Sequence, residues 1–223
     1  MVIELKKVGK TYNAGRNEEV KALSNVNLRV EQGEFMCIFG VSGSGKTTLL
    51  HLMGAMDTPT EGSVTYDGQN IAELSDKEQA FFRNDNIGFL FQDYALIPYR
   101  TVEDNLKIPL YFSKKKPNEF KGIINKKLEE VGMSSYLKRR VSNLSGGQKQ
   151  KVAMARALIC NPSVILCDEP TGALDSKSSE EILNLLLKIK ENGTTVIVVT
   201  HNMMFENYSD RNIYIKDGQI SDA

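Results

Sequence analysis

The order of apolar runs along this chain predicts an α/β fold with a mainly parallel sheet. Three short runs, Glu34–Phe39, Ser163–Cys167 and Thr195–Val199, have the length and composition of buried strands. Helical sequence follows the first run from Lys46 to about Ala55, and Ser178–Lys190 has the apolar spacing of an amphipathic helix. Because strands joined through helices pair in parallel, these segments indicate a layered α/β core.

The first 30 residues have a different pattern. Stretches of alternating polarity at Val2–Val8 and Val26–Val30 are joined by a polar loop at Asn13–Glu19. Alternation of this kind is typical of antiparallel strands with one buried face. We therefore expect a small N-terminal antiparallel β subdomain that leans on the core.

Residues 93–160 are mostly helical in pattern and contain no strand-like runs. We interpret them as a helical subdomain inserted between two halves of the core. The predicted organisation is one domain over residues 1–223, with the core and β subdomain at 1–92 and 161–223 and the helical subdomain at 93–160.

Composition excludes several function classes. Lys plus Arg equals Asp plus Glu at 28 each, so no basic field predicts a nucleic-acid partner. The longest apolar stretches, such as Val196–Val199, are too short to span a bilayer, and Met1–Glu4 lacks the basic start of a secretory signal. Cys37, Cys160 and Cys167 have no metal-ligand spacing, so we expect reduced packing thiols in a cytoplasmic protein.

A glycine-rich loop of G-x-x-x-x-G-K-[ST] pattern lies between the first buried strand and the first helix. The backbone N–H groups of such a loop and the helix N-terminus can surround phosphates. Lys46 would bridge the β- and γ-phosphates, and Thr47 would ligate Mg²⁺ through its hydroxyl. The candidate ligands in this loop are Gly40, Ser42, Gly43, Ser44, Gly45, Lys46 and Thr47.

Two acidic residues follow the second buried strand. Asp168 closes that strand, so its carboxylate should emerge at the carboxyl edge of the sheet beside the phosphate loop, where it would orient Mg²⁺. Glu169 should point to the other side of the chain, towards an attacking water molecule. Two acids after an apolar run are also an ordinary strand end, and the phosphate loop is what favours the functional interpretation.

A second motif, LSGGQ at Leu144–Gln148, lies between the phosphate loop and the acidic strand end. The three motifs in this order resemble the ATP-binding-cassette (ABC) ATPases, over nearly the whole chain. The resemblance implies an ATP-hydrolysing enzyme on a P-loop NTPase core, with ATP and Mg²⁺ as cofactors and Glu169 as catalytic base.

Four single residues gain a role only from this resemblance. Gln92 matches the residue that joins core and helical insert and senses Mg²⁺ and water, although an exposed strand end would also explain it. His201 matches the switch histidine that hydrogen-bonds the γ-phosphate, although a lone histidine is more often incidental. Thr48 would donate to the α-phosphate, and Tyr12 would stack on adenine.

The LSGGQ motif predicts that one copy of the chain cannot form a complete ATP site. Ser145 is a natural N-cap for the helix that follows, whose free N–H groups form a second anion site. In the family, this motif covers the γ-phosphate held by the phosphate loop of a second copy, arranged head to tail. By resemblance, Asp175 contacts the opposite subunit, and the motif ligands are Ser145, Gly146, Gly147 and Gln148.

Lys151 departs from the family pattern, since many members carry arginine there. Lysine keeps the charge but not the planar fork. Whether its contact lies within or between subunits is open.

The subfamily pattern resembles macrolide-export, lipoprotein-release and bacitracin-type peptide-resistance ATPases, on Phe91–Pro98, Thr101–Asn105 and Glu169–Asp175. That resemblance implies an integral membrane permease as partner and a peripheral position on the inner face of the membrane. A non-transport ABC ATPase that signals mechanically through a membrane partner, as in cell division, is the alternative. DNA-repair cassettes would interrupt the domain with coiled coil or zinc modules, and none fits here.

Overall fold

The computed structural model of the protein describes residues 1–15 and 18–221. The strands are Ile3–Tyr12 (β1), Val20–Val30 (β2), Phe35–Phe39 (β3), Glu61–Tyr66 (β4), Gln69–Asn70 (β5), Ile87–Leu90 (β6), Val164–Asp168 (β7), Thr195–Thr200 (β8), Arg211–Lys216 (β9) and Gln219–Ser221 (β10). The α-helices are Lys46–Met53 (α1), Asp76–Asn86 (α2), Val102–Tyr111 (α3), Phe120–Glu130 (α4), Gly146–Ala157 (α5) and Ser176–Glu191 (α6).

The N-terminal strands form an antiparallel sheet in the order β2-β1-β4-β5, as the sequence predicts. Pairing of β1 with β2 runs from Ile3 opposite Val30 to Tyr12 opposite Val20, beyond the stretches predicted from alternation. Register shifts after Leu5 interrupt the two-residue period, so alternation alone could not reveal the full strands. The predicted loop at Asn13–Glu19 includes residues 16 and 17, which lie outside the described residues.

The second sheet has the order β10-β9-β3-β8-β7-β6. Its pairs are parallel except for β10 against β9, which confirms the predicted mainly parallel core. β3 lies between β8 and β9 and all five of its residues are buried, hence its continuous apolar sequence. Sequence patterns did not predict β6, whose four residues follow α2 without an intervening loop.

Side-chain caps fix where the helices begin. Thr101 and Ser145 each form a capping box at the starts of α3 and α5. Asp175 accepts a hydrogen bond from the backbone N–H of Ser178 at 2.9 Å, so α6 begins at Ser176, two residues before the predicted start. In the described part of the chain, no helix combines the length and apolar character needed to cross a membrane.

The two faces of β3 pack into different hydrophobic clusters. Met36 and Ile38 face the antiparallel sheet and α1. Phe35, Cys37 and Phe39 face a cluster that also contains the buried side chains of α3, α4, α5 and α6. The helices between residues 93 and 160 therefore share a core with the parallel sheet. The division into subdomains at residues 92/93 and 160/161 remains a prediction.

The cysteines pack within the fold, as predicted. Cys37 and Cys167 are buried on strands and Cys160 is half-buried, and all three are free thiols. Burial raises the pKa of Cys37 to about 12, which keeps that thiol protonated and unreactive near neutral pH.

Candidate functional site

The phosphate loop connects β3 to α1 and depends on glycine at specific positions. Gly45 is the N-cap of α1 with φ of 104°, and a Cβ there would lie 2.6 Å from the carbonyl oxygen of Ala22. A Cβ on Gly40 would lie 2.5 Å from the carbonyl oxygen of Ile215. Side chains at either position would displace the loop, so the backbone N–H groups line it without obstruction.

Lys46 lies inside this loop and is only 9% exposed. Its ammonium donates to the carbonyl oxygens of Gly40 at 2.8 Å and Val41 at 3.0 Å. The hydroxyl of Ser44 is buried and has no hydrogen-bond partner among the described residues. A positive charge, an orphaned hydroxyl and an α1 N-terminus without a side-chain cap are all suited to hold a phosphate group.

Asp168 and Thr47 meet across the sheet edge. The Thr47 hydroxyl donates to Oδ2 of Asp168 at 3.0 Å, so two oxygen ligands of the kind Mg²⁺ prefers are adjacent. Burial raises the pKa of Asp168, a rise that the Thr47 hydrogen bond opposes and the charge of Glu169 reinforces. A bound divalent cation would offset that desolvation, so the residues fit Mg²⁺ completed by phosphate oxygens and water.

The described residues contain no cluster of three or more His, Cys, Asp or Glu side chains that could hold a metal alone.

Glu169 has a strained backbone and a tightly held side chain. Its φ is 44°, a conformation that non-glycine residues rarely adopt and that functional sites often contain. Its carboxylate accepts from the Thr200 hydroxyl at 2.8 Å and from the backbone N–H of His201 at 3.1 Å. The imidazole Nδ1 of His201 lies 2.7 Å from the same carboxylate. The chain thus presents an oriented acid beside the phosphate loop.

Gln92 and Tyr12 line the same cleft. Gln92 follows β6, and its amide packs so closely on Gly172 that a Cβ there would lie 3.1 Å from Nε2. The Tyr12 hydroxyl donates to Oδ2 of Asp57 at 3.0 Å, and the ammonium of Lys10 lies 5.0 Å from the ring centroid. These contacts hold the Tyr12 ring in the cleft wall, where a nucleobase could stack.

The cleft has a volume of about 780 Å³ and brings most of the predicted site residues together. The predicted residues that line it are Tyr12, Ser42, Gly43, Gly45, Lys46, Thr47, Thr48, Gln92, Asp168, Glu169 and His201. Sequence reasoning missed Val20, Lys21 and Ala22, which also line it, and Thr200, which orients Glu169. The position of Thr200 directly before His201 at a strand end was the only available signal for it.

The LSGGQ motif (Leu144–Gln148) lies outside this cleft, together with Asp175. The Ser145 hydroxyl caps α5 by accepting from the backbone N–H of Gln148 at 3.3 Å. In turn, Oε1 of Gln148 accepts from the backbone N–H of Ser145 at 3.0 Å. A Cβ on Gly147 would lie 2.7 Å from the Ser178 hydroxyl, so α5 packs its first turn against the start of α6. The predicted site residues therefore divide into two separate groups.

Lys151 makes its contact within the chain. Its ammonium pairs with Glu181 of α6 at 2.6 Å. A point charge suffices for one carboxylate, which explains how lysine can stand at this position.

A glycine loop on a helix N-terminus, beside an acidic strand end of a parallel sheet, defines a P-loop nucleoside-triphosphate-binding protein. A sequence model of the ABC transporter family matches residues 23–172, and the chain belongs to that family. It is accordingly an ATPase whose cofactors are ATP and Mg²⁺.

Relatives extend the similarity to the whole chain. MJ0796, an uncharacterized ABC transporter ATP-binding protein of Methanocaldococcus jannaschii, is 46% identical over 98% of this chain and 95% of its own length. The macrolide export ATP-binding/permease protein MacB of Bdellovibrio bacteriovorus is 41% identical over 98% of this chain, but only 33% of MacB is covered. The dimeric post-hydrolysis structure of MJ0796 with ADP and Pi has a TM-score of 0.90 at 43% identity, covering 99% of this chain and 97% of that one.

Proposed function

We propose that two copies of this chain enclose two ATP molecules head to tail and drive a partner permease of the macrolide-export or lipoprotein-release type. The observation that carries this proposal is the separation of the predicted site into two groups. The cleft holds the phosphate loop and the acids, whereas the capped start of α5 lies outside it. A second copy would bring its α5 to the open side of the cleft. The dimeric structures of MJ0796 support this arrangement.

The cleft residues divide the work of hydrolysis. The loop N–H groups and Lys46 bind the phosphates and would offset the charge that develops on them. Thr47 and Asp168 would hold Mg²⁺, which would supply positive charge to offset that of the phosphates. Glu169, oriented by Thr200 and His201, accepts the proton of the attacking water. His201 would hydrogen-bond the γ-phosphate, and Gln92 would sense Mg²⁺ and water at the joint between the core and the helical insert.

The proposed permease contact is the loop that follows Gln92. Tyr99 is 70% exposed, and Leu96 is a partly buried residue that packs against the cluster containing the helices. Exposed aromatic residues on a loop between two lobes are typical of a docking surface. The MacB relatives support a permease as partner, since each is a macrolide export ATP-binding/permease protein. Docking of this kind would keep the chain on the inner face of the membrane.

Replacing Tyr99 with Asp tests the docking surface. Tyr111, 67% exposed at the far end of α3, offers a control substitution of the same chemistry and similar exposure. With a co-expressed candidate permease, Tyr99→Asp should retain basal ATP hydrolysis but lose co-purification and permease stimulation, whereas Tyr111→Asp should keep both. Normal permease binding and stimulation by Tyr99→Asp would show that the docking surface lies elsewhere.

The second candidate is a non-transport ABC ATPase that signals mechanically through a membrane partner, as in cell division. The same dimer and the same docking loop favour it, because both functions need ATP-driven motion of a membrane protein. Reconstituting the pair in vesicles separates them. A transporter moves its cargo in step with ATP hydrolysis, whereas a signalling pair hydrolyses ATP without any cargo movement.

A further inference from the structure

The loop after Gln92 contains two consecutive residues in a strained conformation. Tyr94 has φ of 65° and Ala95 has φ of 48°, and neither is glycine or asparagine. Such residues keep a left-handed conformation only when contacts around them favour it. The contacts at this turn therefore determine where the loop lies.

Arg156, in the last turn of α5, supplies those contacts. One guanidinium nitrogen donates to the carbonyl oxygen of Ala95 at 2.6 Å and the other to that of Tyr94 at 3.2 Å. Burial lowers the pKa of Arg156, and the nearby charge of Asp93 acts in the opposite direction. The planar fork thus holds two successive carbonyl groups in one fixed geometry, which the flexible point charge of a lysine would not reproduce.

The side chain of Tyr94 connects the same turn to the other end of α5. A Cβ on Gly146 would lie only 3.0 Å from the Tyr94 hydroxyl, so the ring lies against the LSGGQ motif. Further along the loop, buried Asn105 of α3 accepts from Ile97 N–H at 2.8 Å and donates to the Ile97 carbonyl at 3.1 Å. The turn is therefore attached to the helices, and Gln92 and Asp93 are left as the joint to the sheet.

We propose that Arg156 is a positioning residue that fixes the turn at Tyr94–Ala95 against α5, and thereby sets Gln92 and the LSGGQ motif in one relative arrangement. Motion of the loop then moves α5 with it, because the two carbonyl groups and the Tyr94 ring contact opposite ends of that helix. The inference rests on the roles of Gln92 and the LSGGQ motif in the proposed function. It adds a residue that touches neither nucleotide nor metal.

Arg83 provides a matched control within the chain. Its guanidinium donates to the carbonyl oxygen of Ala55 at 2.9 Å, and Ala55 is also left-handed with φ of 51°. The Arg83→Ala substitution thus removes the same chemistry from a turn that lies away from the cleft and from α5.

The experiment compares Arg156→Ala, Arg156→Lys and Arg83→Ala by amide hydrogen exchange, ATP affinity and steady-state hydrolysis. In Arg156→Ala, exchange at residues 93–97 should rise and kcat should fall, each about tenfold or more, while the ATP Kd stays within about twofold. Arg156→Lys should be intermediate, since an ammonium keeps the charge and donors but not the planar geometry of the guanidinium. Arg83→Ala should leave exchange at residues 93–97, the ATP Kd and kcat unchanged.

Unchanged exchange at residues 93–97 or unchanged kcat in Arg156→Ala would overturn the proposal. So would a loss of ATP affinity in Arg156→Ala as large as its loss of kcat, which would indicate a merely structural role. If Arg156→Ala does not fold, Arg156→Met, which keeps an unbranched apolar stem but has no hydrogen-bond donor, carries the test, and wild-type exchange and kcat in that variant overturn the proposal. Gln92→Ala separates the two levels: normal hydrolysis in that variant contradicts the role of Gln92 in the proposed function, whereas the exchange measurement still tests Arg156.

Discussion

Replacing Glu169 with Gln should remove most ATP hydrolysis while leaving the fold and ATP binding nearly intact. The Gln amide can accept from His201 N–H through its oxygen and donate through its nitrogen to the Thr200 hydroxyl. That hydroxyl already accepts from Asn202 N–H at 3.0 Å and has a second lone pair. The proton of the Thr200 hydroxyl then has no acceptor, and this loss lowers the free energy of unfolding by about 1 kcal/mol. Loss of the general base should slow hydrolysis about 10²–10⁴-fold.

The assay combines phosphate release, ATP titration, thermal unfolding and gel filtration in the presence of ATP. Glu181→Gln is the control, since it removes a carboxylate that pairs with Lys151 outside the cleft. The control should hydrolyse ATP at a rate within about twofold of wild type, because a single partly exposed ion pair contributes little. Glu169→Gln should accumulate as an ATP-bound dimer. A near wild-type rate of hydrolysis in a folded Glu169→Gln protein would refute its role as base.

Three further outcomes are expected. Lys46→Ala should weaken ATP binding about tenfold to hundredfold, the range for one lost charged hydrogen bond, and a titration showing an unchanged Kd would contradict this. Mixing Lys46→Ala with Ser145→Arg should restore some hydrolysis, because one site of the mixed dimer then joins an intact phosphate loop to an intact LSGGQ motif. If one intact site is enough for hydrolysis, no recovery at any mixing ratio counts against head-to-tail sites. Hydrogen bonds from Lys107 and Lys138 lower the pKa of Glu103, so that carboxylate stabilises the fold above its unfolded pKa and loses this effect as pH falls through its folded value. In urea unfolding, Glu103→Gln should therefore be about 1 kcal/mol less stable than wild type at pH 7, and this difference should vanish in acid. A difference that does not depend on pH would show that the Glu103 ion pairs do not cause the loss of stability.

Local signals determined what could be predicted from the sequence. The phosphate loop needs glycine where its backbone is left-handed or crowded, and the buried strands before it and before Asp168 are continuous apolar runs. Residues at the ends of neighbouring parallel strands meet at one edge, so the cleft residues could be grouped without coordinates. The fold class and the mainly parallel sheet are confirmed for the same reason.

Contacts between distant segments could not be predicted in this way. Thr200 holds Glu169 from 31 residues away, and Arg156 holds Ala95 from 61 residues away. Neither pair follows from periodicity, since each depends on how two elements pack. β6 was missed because four residues directly after a helix give too short an apolar pattern to recognise. Asp175 was assigned to a subunit contact, and its capping of α6 became evident only from the geometry.

The shared hydrophobic cluster beneath β3 has a consequence for folding cooperativity. Buried side chains of the helical segment belong to the same cluster as Phe35, Cys37 and Phe39, so melting that segment alone would expose apolar surface of the shared core to water. Calorimetry should therefore record a single unfolding transition for the protein, with no separate melting of the helices. An excised fragment of residues 93–160 should collapse without a fixed tertiary structure, because the cluster on which its helices pack includes residues of the sheet.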